Sequence, residues 1–326
     1  MADGDVFAGI DLGGTKILVL VADARGNVLG DARLATQAAG GADAVIGRMV
    51  EATREAAAEA HVDVATLRAV GVSAPGPINT AEGVITDPPN LPGWHNVPLA
   101  RILRERLGRP VVLENDANCQ GVAEHQFGAG RGYRHMIFLT VSTGIGGGII
   151  IDDELYVGAS GAAGELGHVA VAADGPSCGA GHVGCLEAFA SGAAIAKRAQ
   201  ELIDAGQLPR TARIAEHNPP LDVEDVYRAS QEGEAEAGAI IERAGRFLGI
   251  GLASLMNAFN PEAIVLGGGM MNMGEAIMRP AVDMARQRAF AQAFSDAQVV
   301  EGSLGERAGA LGAIAVAQHK VGTGVL

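Results

Sequence analysis

Two copies of one local pattern most constrain how this 326-residue chain can fold. Each copy is a short apolar run, a glycine-rich bend and a second apolar run. Residues 6–11 and 17–22 flank the first bend, whereas residues 136–141 and 149–151 flank the second, residues 142–148. The copies lie about 130 residues apart, a period too long for a solenoid repeat. The pattern therefore indicates a duplicated domain.

The rest of the chain alternates between strand-like and helix-like segments. Short apolar runs at residues 67–73, 110–114 and 263–266 are typical of buried strands. Longer segments with helical periodicity occupy residues 42–60, 99–107, 117–127, 193–206 and 236–259, and a small-residue helix is predicted within 304–317. This alternation predicts an α/β protein with largely buried sheets, and the length suggests about two domains.

The first bend carries groups that suit an anion. Gly13 and Gly14 let backbone N–H groups approach a phosphate closely, while Thr15 and Lys16 add a hydroxyl donor and a positive charge. Asp11, at the end of the preceding strand, can hold Mg²⁺ directly or through water. A tight β-turn with an ordinary exposed lysine remains the alternative. Neither the P-loop pattern nor the dinucleotide pattern Gly-x-Gly-x-x-Gly is present here.

Two further glycine clusters could also contact a ligand through the backbone. The second bend, which contains Thr143 and Gly144, offers the same chemistry at the equivalent place in the second half. Gly267, Gly268 and Gly269 follow a buried strand and suit either a nucleoside pressed on the backbone or a helix packed tightly on a sheet. Together the three clusters favour a nucleotide ligand.

An acidic residue stands at the start of the helix that is predicted after residue 115. Asp116 follows a predicted strand and is either a helix N-cap or a general base. Phosphoryl transfer to an alcohol uses one carboxylate to orient the hydroxyl and accept its proton. The phosphate-binding pattern elsewhere favours the base, with Asn115 as a partner for a sugar hydroxyl.

Glu, His and Cys residues cluster in a glycine-rich stretch between positions 164 and 187. Glu165, His168 and Glu187 can hold several hydroxyls of a polyol. Cysteine and histidine at this density favour a metal site over a disulfide in an intracellular protein. The residues in question are Cys178, His182 and Cys185, with His168 as a further ligand.

Composition narrows the class of partner. The chain has 24 basic and 38 acidic residues, so its formal charge of −14 argues against nucleic acid or an anionic membrane as the main partner. Its N-terminus is acidic where a secretory signal would be basic, and no apolar run is long enough for a membrane span. We expect a cytoplasmic protein.

These stretches, in this order, resemble the ROK family (repressors, open reading frames and sugar kinases) of the actin-like, hexokinase-like ATPases. The resemblance covers essentially the whole chain. The matching segments are Asp-Leu-Gly-Gly-Thr-Lys at 11–16, Pro-Gly-Pro at 75–77, Asn-Leu-Pro-Gly-Trp at 90–94, Glu-Asn-Asp-Ala-Asn at 114–118, Ser-Thr-Gly-Ile-Gly-Gly-Gly at 142–148, Gly-Glu-Leu-Gly-His at 164–168, Gly-Cys-Leu-Glu-Ala-Phe-Ala-Ser-Gly at 184–192 and Pro-Glu-Ala-Ile-Val-Leu-Gly-Gly-Gly at 261–269.

The resemblance implies a two-lobed fold of duplicated ribonuclease H-like domains, with the active site in the cleft between the lobes. Residues 1–115 and 311–326 would form the small lobe, and residues 116–310 the large one. The long helices of the large lobe suggest a homodimer.

The resemblance also implies roles for individual residues. ATP, with Mg²⁺, would bind Asp11, Gly13, Gly14, Thr15, Lys16, Thr143, Gly144, Gly267, Gly268 and Gly269. Asp116 would take the proton from the 6-hydroxyl of a hexose. The other hydroxyls would be held by Gly76, Asn90, Asn115, Glu165, His168 and Glu187, together with Asp116 itself.

One position departs from the family pattern. The family's usual zinc element is a histidine followed by Cys-x-Cys-Gly-x-x-Gly-Cys, and here the middle cysteine is Ala180. A structural zinc needs four ligands. His168, Cys178 and Cys185 keep their family positions, and His182 is the candidate for the fourth ligand. A similarly folded loop without zinc is the alternative.

Several activities remain open within the family. The Asn-Leu-Pro-Gly-Trp loop and the set of Glu165, His168 and Glu187 resemble the bacterial ATP-dependent glucokinases. N-acetylmannosamine and N-acetylglucosamine kinases share nearly every motif, and fructokinases and allose kinases are further alternatives. The family's repressors carry a DNA-binding domain ahead of the first bend, and ten residues are too few for one. A non-catalytic sugar sensor is the remaining alternative.

Overall fold

The computed structural model describes residues 4–88, 91–217 and 219–324. It contains two five-stranded sheets and a two-stranded ribbon. The first sheet is built from β1 to β4 and β7, the ribbon from β5 and β6, and the second sheet from β8 to β12. The strands are β1 (Val6–Leu12), β2 (Lys16–Asp23), β3 (Val28–Ala35), β4 (Val70–Ala74), β5 (Ile78–Asn79), β6 (Val84–Ile85), β7 (Val111–Asn115), β8 (Met136–Val141), β9 (Ile145–Ile151), β10 (Glu154–Leu155), β11 (Ala263–Gly267) and β12 (Gln298–Glu301).

Eleven α-helices are found among the described residues. They are α1 (Gly41–Glu59), α2 (Leu99–Leu107), α3 (Asp116–Phe127), α4 (Leu186–Ala190), α5 (Gly192–Asp204), α6 (Pro209–Ala215), α7 (Val223–Gln231), α8 (Ala235–Phe259), α9 (Glu275–Arg288), α10 (Ala291–Asp296) and α11 (Ala308–Gly322). The sequence patterns predicted most of the long helices to within two residues. The elements that they did not predict are α4, α6, α7, α9, α10, β5, β6, β10 and β12.

The two large sheets have the same topology. Their strand orders are β3-β2-β1-β4-β7 and β10-β9-β8-β11-β12. In each sheet the first three strands of the chain are antiparallel, and the last two run parallel to the first. The duplication predicted from the two bends is therefore confirmed.

The first sheet is buried on both faces. Ala8, Ile10 and Leu12 of β1 pack in a core with α1, whereas Phe7 of β1 and Leu18 of β2 pack with α11. Helix α11 approaches closely, since a Cβ on Gly71 of β4 would lie 1.9 Å from the carbonyl oxygen of Ala313. Thus the C-terminal helix covers the sheet formed by the N-terminal residues. The predicted lobe boundaries, at 115/116 and 310/311, stay predictions.

The second bend is shorter than predicted. Residues 142–144 form the turn, whereas Gly146, Gly147 and Gly148 lie within β9. Their role is close packing, because a Cβ on Gly147 would lie 2.7 Å from Leu166 and one on Gly146 would lie 2.8 Å from Ala117. Glycine therefore lets the start of α3 and the segment around residue 166 rest directly on the strand.

Among the described residues, no helix combines the length and the apolar character that crossing a membrane requires.

Candidate active site

The parallel strands of the first sheet bring polar side chains to one edge. Asp11 pairs in register with Ser73, and Ser73 pairs with Glu114, one residue before Asn115. Because parallel strands end at the same edge of the sheet, Asp11, Asn115 and Asp116 lie near one another. Ser73 donates a hydrogen bond of 2.8 Å to Asp11 Oδ1. Sequence reasoning missed Ser73, although a buried polar residue at a strand end was a usable signal.

The first bend is held by the residue that directly follows β3. Thr36, which is fully buried, donates its hydroxyl to the Gly13 carbonyl at 2.7 Å and its N–H to the Thr15 carbonyl at 2.8 Å. The Gly13 N–H donates to the Lys16 carbonyl at 2.9 Å and closes the turn. These bonds fix the backbone between Asp11 and Lys16. No local sequence signal pointed to Thr36.

The second bend is fixed in a comparable way by the region of α4 and α5. The N–H groups of Gly192 and Ala193 donate to the carbonyls of Ser142 and Thr143 at 2.7 and 3.1 Å. Gly268 also meets this region, because a Cβ there would lie 2.3 Å from the Val141 carbonyl oxygen. The structure therefore brings the Gly267–Gly269 cluster to the second bend, where only glycine fits at position 268, whose φ is 90°.

Asp116 is the first residue of α3, and the N-cap is Asn115. The Asn115 side chain accepts from the N–H groups of Ala117 and Asn118 at 2.9 and 3.2 Å. The Asn115 amide nitrogen faces Gly76, where a Cβ would lie 3.5 Å away. Asp116 also accepts from the Ala117 N–H, at 2.8 Å. Because Asn115 caps the helix, the alternative of Asp116 as an ordinary N-cap is disfavoured.

The environment of Asp116 favours its protonated form. Burial raises the pKa of the Asp116 carboxyl to about 6, and the negative charges of Asp11 and Glu165 act in the same direction. The hydrogen bond from Ala117 opposes this rise. Burial also raises the pKa of Asp11, against the effects of Ser73 and Lys16. A carboxylate with a pKa near neutrality is suited to accept a proton from a hydroxyl.

Three other predicted side chains, those of Glu165, His168 and Cys178, lie close to one another. His168 Nε2 is 3.9 Å from Glu165 Oε2, and His168 Nδ1 is 3.7 Å from Cys178 Sγ. The imidazole thus has one nitrogen toward the exposed Glu165 and the other toward the cysteine. Glu187 lies on α4 and accepts a hydrogen bond from the Ile145 N–H at 3.0 Å. Asn90 lies outside the described residues.

A tight hairpin presents the candidate metal ligands. Ser177 bridges to Val183, and the Cys178 N–H donates to the His182 carbonyl at 2.9 Å. The ligand atoms of His168, Cys178 and His182 all lie within 4.8 Å of one another. The buried Cys185 thiol lies outside this group of three but is near the Cys178 thiol, and burial with this neighbour raises the pKa of Cys185. Two thiols and two imidazoles form a donor set that suits a structural zinc ion.

Lys16, which is predicted to bind phosphate, has an acidic partner that the sequence patterns did not reveal. Lys16 Nζ lies 3.2 Å from the carboxylate of Glu306, which also pairs with Arg33 at 2.7 Å. Glu306 lies in a short 3₁₀ turn directly before α11. The C-terminal segment thus reaches the first bend through Glu306.

Comparison with known proteins shows the family and supports the fold. The ROK family profile matches residues 7–320. The chain is 35% identical to a glucokinase of Thermotoga maritima, over 96% of this chain and 98% of the relative. It is similar in structure to a ROK hexokinase from Thermus thermophilus, with a TM-score of 0.83, 37% identity and coverage of 98% and 99%.

A second solved structure is a ROK family glucokinase from Streptomyces griseus in complex with glucose and AMPPNP. The TM-score is 0.80 and the identity 33%, over 96% of this chain and 99% of that one. The predicted two-lobed, actin-like ATPase fold is confirmed by these full-length similarities. The chain belongs to the ROK family.

Proposed function

We propose that this protein is an ATP-dependent glucokinase, which transfers the γ-phosphoryl group of ATP to the 6-hydroxyl of glucose. The full-length similarity to glucokinases, one of them solved with glucose and an ATP analogue, supports this substrate pair. The observation that carries the mechanism is the half-buried Asp116 at the start of α3, whose pKa burial raises to about 6 and which has Asp11 and Glu165 as charged neighbours.

In the proposed reaction, Asp116 is the general base. Its carboxylate accepts the proton of the 6-hydroxyl as the oxygen attacks the γ-phosphorus, and the bond between the γ-phosphorus and the bridging oxygen of ADP breaks. The Asn115 cap fixes the first turn of α3 and so the direction of the Asp116 side chain. Asn115 has its amide nitrogen left to donate to a sugar hydroxyl, because its oxygen caps the helix.

The two bends would hold the triphosphate. Lys16 and the backbone of Gly13, Gly14 and Thr15 belong to the first bend, and Thr143 and Gly144 to the second. The Gly267–Gly269 segment would receive the nucleoside. Asp11 fits Mg²⁺, because this ion takes oxygen ligands and commonly uses one or two carboxylates together with substrate phosphates. When bound, Mg²⁺ neutralises charge on the phosphate oxygens.

The remaining hexose hydroxyls are assigned to polar groups around the cleft. Gly76, Glu165, His168 and Glu187 join Asn115 and Asp116 in this role, as does Asn90 by its family position. Closure of the two lobes over the sugar would exclude water, so that the phosphoryl group passes to glucose.

Zinc is proposed as a structural ion held by His168, Cys178, His182 and Cys185. The clustering of three of these ligand atoms supports the site, and the hairpin supplies His182 where the family pattern has a cysteine at position 180. When bound, the ion stabilises the loop that carries His168 and precedes Glu187.

An ADP-release assay with Mg·ATP tests the proposal. Glucose, N-acetylmannosamine, N-acetylglucosamine and fructose are compared as acceptors, with Asp116→Asn beside the wild type and Asp283→Asn, on the surface of α9, as the matched control. Turnover on glucose is expected to fall by about a thousandfold or more in Asp116→Asn, because the base is lost. The control is expected to retain wild-type turnover.

Other outcomes distinguish the alternatives. Turnover with an N-acetyl sugar alone would keep the mechanism and replace the substrate. Sugar binding without turnover on any acceptor would contradict the kinase and leave a sensor. The predicted homodimer and the cytoplasmic location stay predictions, and light scattering after size exclusion tests the former.

A further inference from the structure

Glu187 contacts the phosphate-binding side of the cleft as well as the proposed sugar side. Its Oε2 atom accepts the N–H of Ile145, the first residue of β9 and the residue directly after the second bend, at 3.0 Å. The bend is also packed against the carboxylate, because a Cβ on Gly144 would lie 2.8 Å from Oε2. Glycine at position 144 therefore permits this contact.

The hydrogen bond is one of three that join residues 187–193 to the second bend and to Ile145, which follows it. The other two run from the N–H groups of Gly192 and Ala193 to the carbonyls of Ser142 and Thr143. Those two are backbone bonds, in which no side-chain atom takes part. The bond of Glu187 alone depends on the identity of a side chain, and it comes from a residue proposed to bind the sugar.

A carboxylate has two oxygens and can serve two donors at once. In Glu187, Oε2 is used by Ile145, so Oε1 is the atom left for a hexose hydroxyl. A hydroxyl bound at Oε1 restricts the rotation of the carboxylate and with it the position of the bend. Because coupling between binding sites is reciprocal, a nucleotide that orders the bend also favours the sugar-binding orientation of Glu187.

We propose that Glu187 is a positioning residue that couples the hexose site to the phosphate-binding bend. The inference rests on the proposed function, since it takes glucose and ATP as the two ligands. It adds that Glu187 contributes to nucleotide affinity even when no sugar is bound, which a residue that only holds sugar does not do.

Isothermal titration of AMPPNP with Mg²⁺, in the absence of sugar, tests this directly. Glu187→Ala removes the acceptor for Ile145, and the affinity for AMPPNP is expected to fall about fivefold, as loss of one hydrogen bond implies. Glu187→Gln keeps an amide oxygen that can accept from Ile145, so its affinity is expected to stay within about twofold of wild type.

Glu165→Ala is the matched control. It removes the other carboxylate assigned to the sugar, one that faces His168 and is 72% exposed. Its affinity for glucose is expected to fall, as it does in Glu187→Ala, while its sugar-free affinity for AMPPNP stays at the wild-type value. An unchanged AMPPNP affinity in Glu187→Ala, or an equal loss in Glu165→Ala, would overturn the inference.

Two further results distinguish an error in the proposed function from an error in the proposed coupling alone. A wild type that binds neither glucose nor AMPPNP contradicts the proposed function, whereas normal binding of both with an unaffected Glu187→Ala contradicts only the coupling. Should Glu187→Ala not fold, hydrogen exchange of residues 141–148 in the wild type replaces it. Glucose alone is then expected to slow exchange at Ile145, and no change in exchange would refute the coupling.

Discussion

The amine of Lys16 lies 3.2 Å from the carboxylate of Glu306, although 290 residues separate the two in the chain. Lys16 is 41% exposed and Glu306 59% exposed, so water screens the pair. The contact places a negative charge beside the cation assigned to the phosphates. Under the proposed function, Glu306 would therefore compete with ATP for Lys16.

Neutralising Glu306 is expected to favour nucleotide binding. Glu306→Gln removes a negative charge near the triphosphate, so the KM for ATP should fall by about two- to threefold at low salt, while the KM for glucose stays unchanged. Steady-state kinetics at two ionic strengths measure both constants. Glu105→Gln, on the surface of α2, is the control. A rise in the KM for ATP would indicate that Glu306 instead holds Lys16 in its binding position.

The pH dependence of the reaction should report Asp116. A general base acts in its ionised form, and the pKa of Asp116 is raised to about 6. We therefore expect kcat/KM for glucose to fall below pH 6 and to level off above pH 7. Glu165→Gln removes a charge that raises this pKa, so the acid limb of the residual activity should move to lower pH. If the acid limb of the pH profile stays at the same pH in Glu165→Gln, Glu165 does not affect the pKa of the titrating group.

Asp116→Asn should be inactive yet more stable than the wild type near neutral pH. The folded-state pKa of Asp116, about 6, is above the ordinary value of 3.8 for an aspartate, so the ionised carboxylate destabilises the native state above pH 6. Asn removes this penalty, and we expect a gain in the free energy of unfolding of about 1–2 kcal/mol at pH 7.5. The gain should shrink as the pH falls from 6 toward 4, which urea unfolding at several pH values measures. If Asp116→Asn is less stable than the wild type at pH 7.5, burial does not disfavour the ionised carboxylate of Asp116 as inferred here.

Metal content tests the proposed zinc ligands. The wild type should bind about one zinc per chain, and His182→Ala should lose most of it because three ligands remain. Adding Ala180→Cys to that variant restores a cysteine at the position where the family has one, and zinc should return. Elemental analysis after dialysis measures the stoichiometry, with His217→Ala as the control. Full zinc retention in His182→Ala would remove His182 from the ligand set.

Two glycine-to-alanine substitutions should change the free energy of unfolding in opposite directions, one through close packing and the other through helix propensity. Gly71→Ala places a Cβ 1.9 Å from the Ala313 carbonyl oxygen, so α11 must move off the sheet. We expect a loss of about 2–3 kcal/mol in the free energy of unfolding. Gly47→Ala, in α1, meets nothing within 4 Å and should instead stabilise by about 0.5–1 kcal/mol. Thermal and urea unfolding measure both, and equal effects of the two substitutions would argue against tight packing of α11.

Local patterns in the sequence accounted for a large part of the fold. The two apolar runs around each glycine-rich bend were enough to predict the duplication, because strand formation and turn chemistry depend on neighbouring residues. Motif order then indicated the ROK family and assigned Asp116 as the base. The segments that were missed include α6, α7, α9, α10 and β12. Helices α7 and α9 bury Val226 and Ile277 in the same core as α8, and local patterns do not specify such packing.

What the sequence determined alone was which residues are chemically able to bind phosphate, sugar and metal. Only the tertiary structure decided which of them meet. Ser73 reaches Asp11 through the register of two parallel strands, Glu306 reaches Lys16 from the far end of the chain, and Glu187 holds the second bend through Ile145. These contacts join residues distant in sequence, and their geometry depends on how sheets and helices pack. No local periodicity specifies that packing, because it results from the burial of many side chains at once.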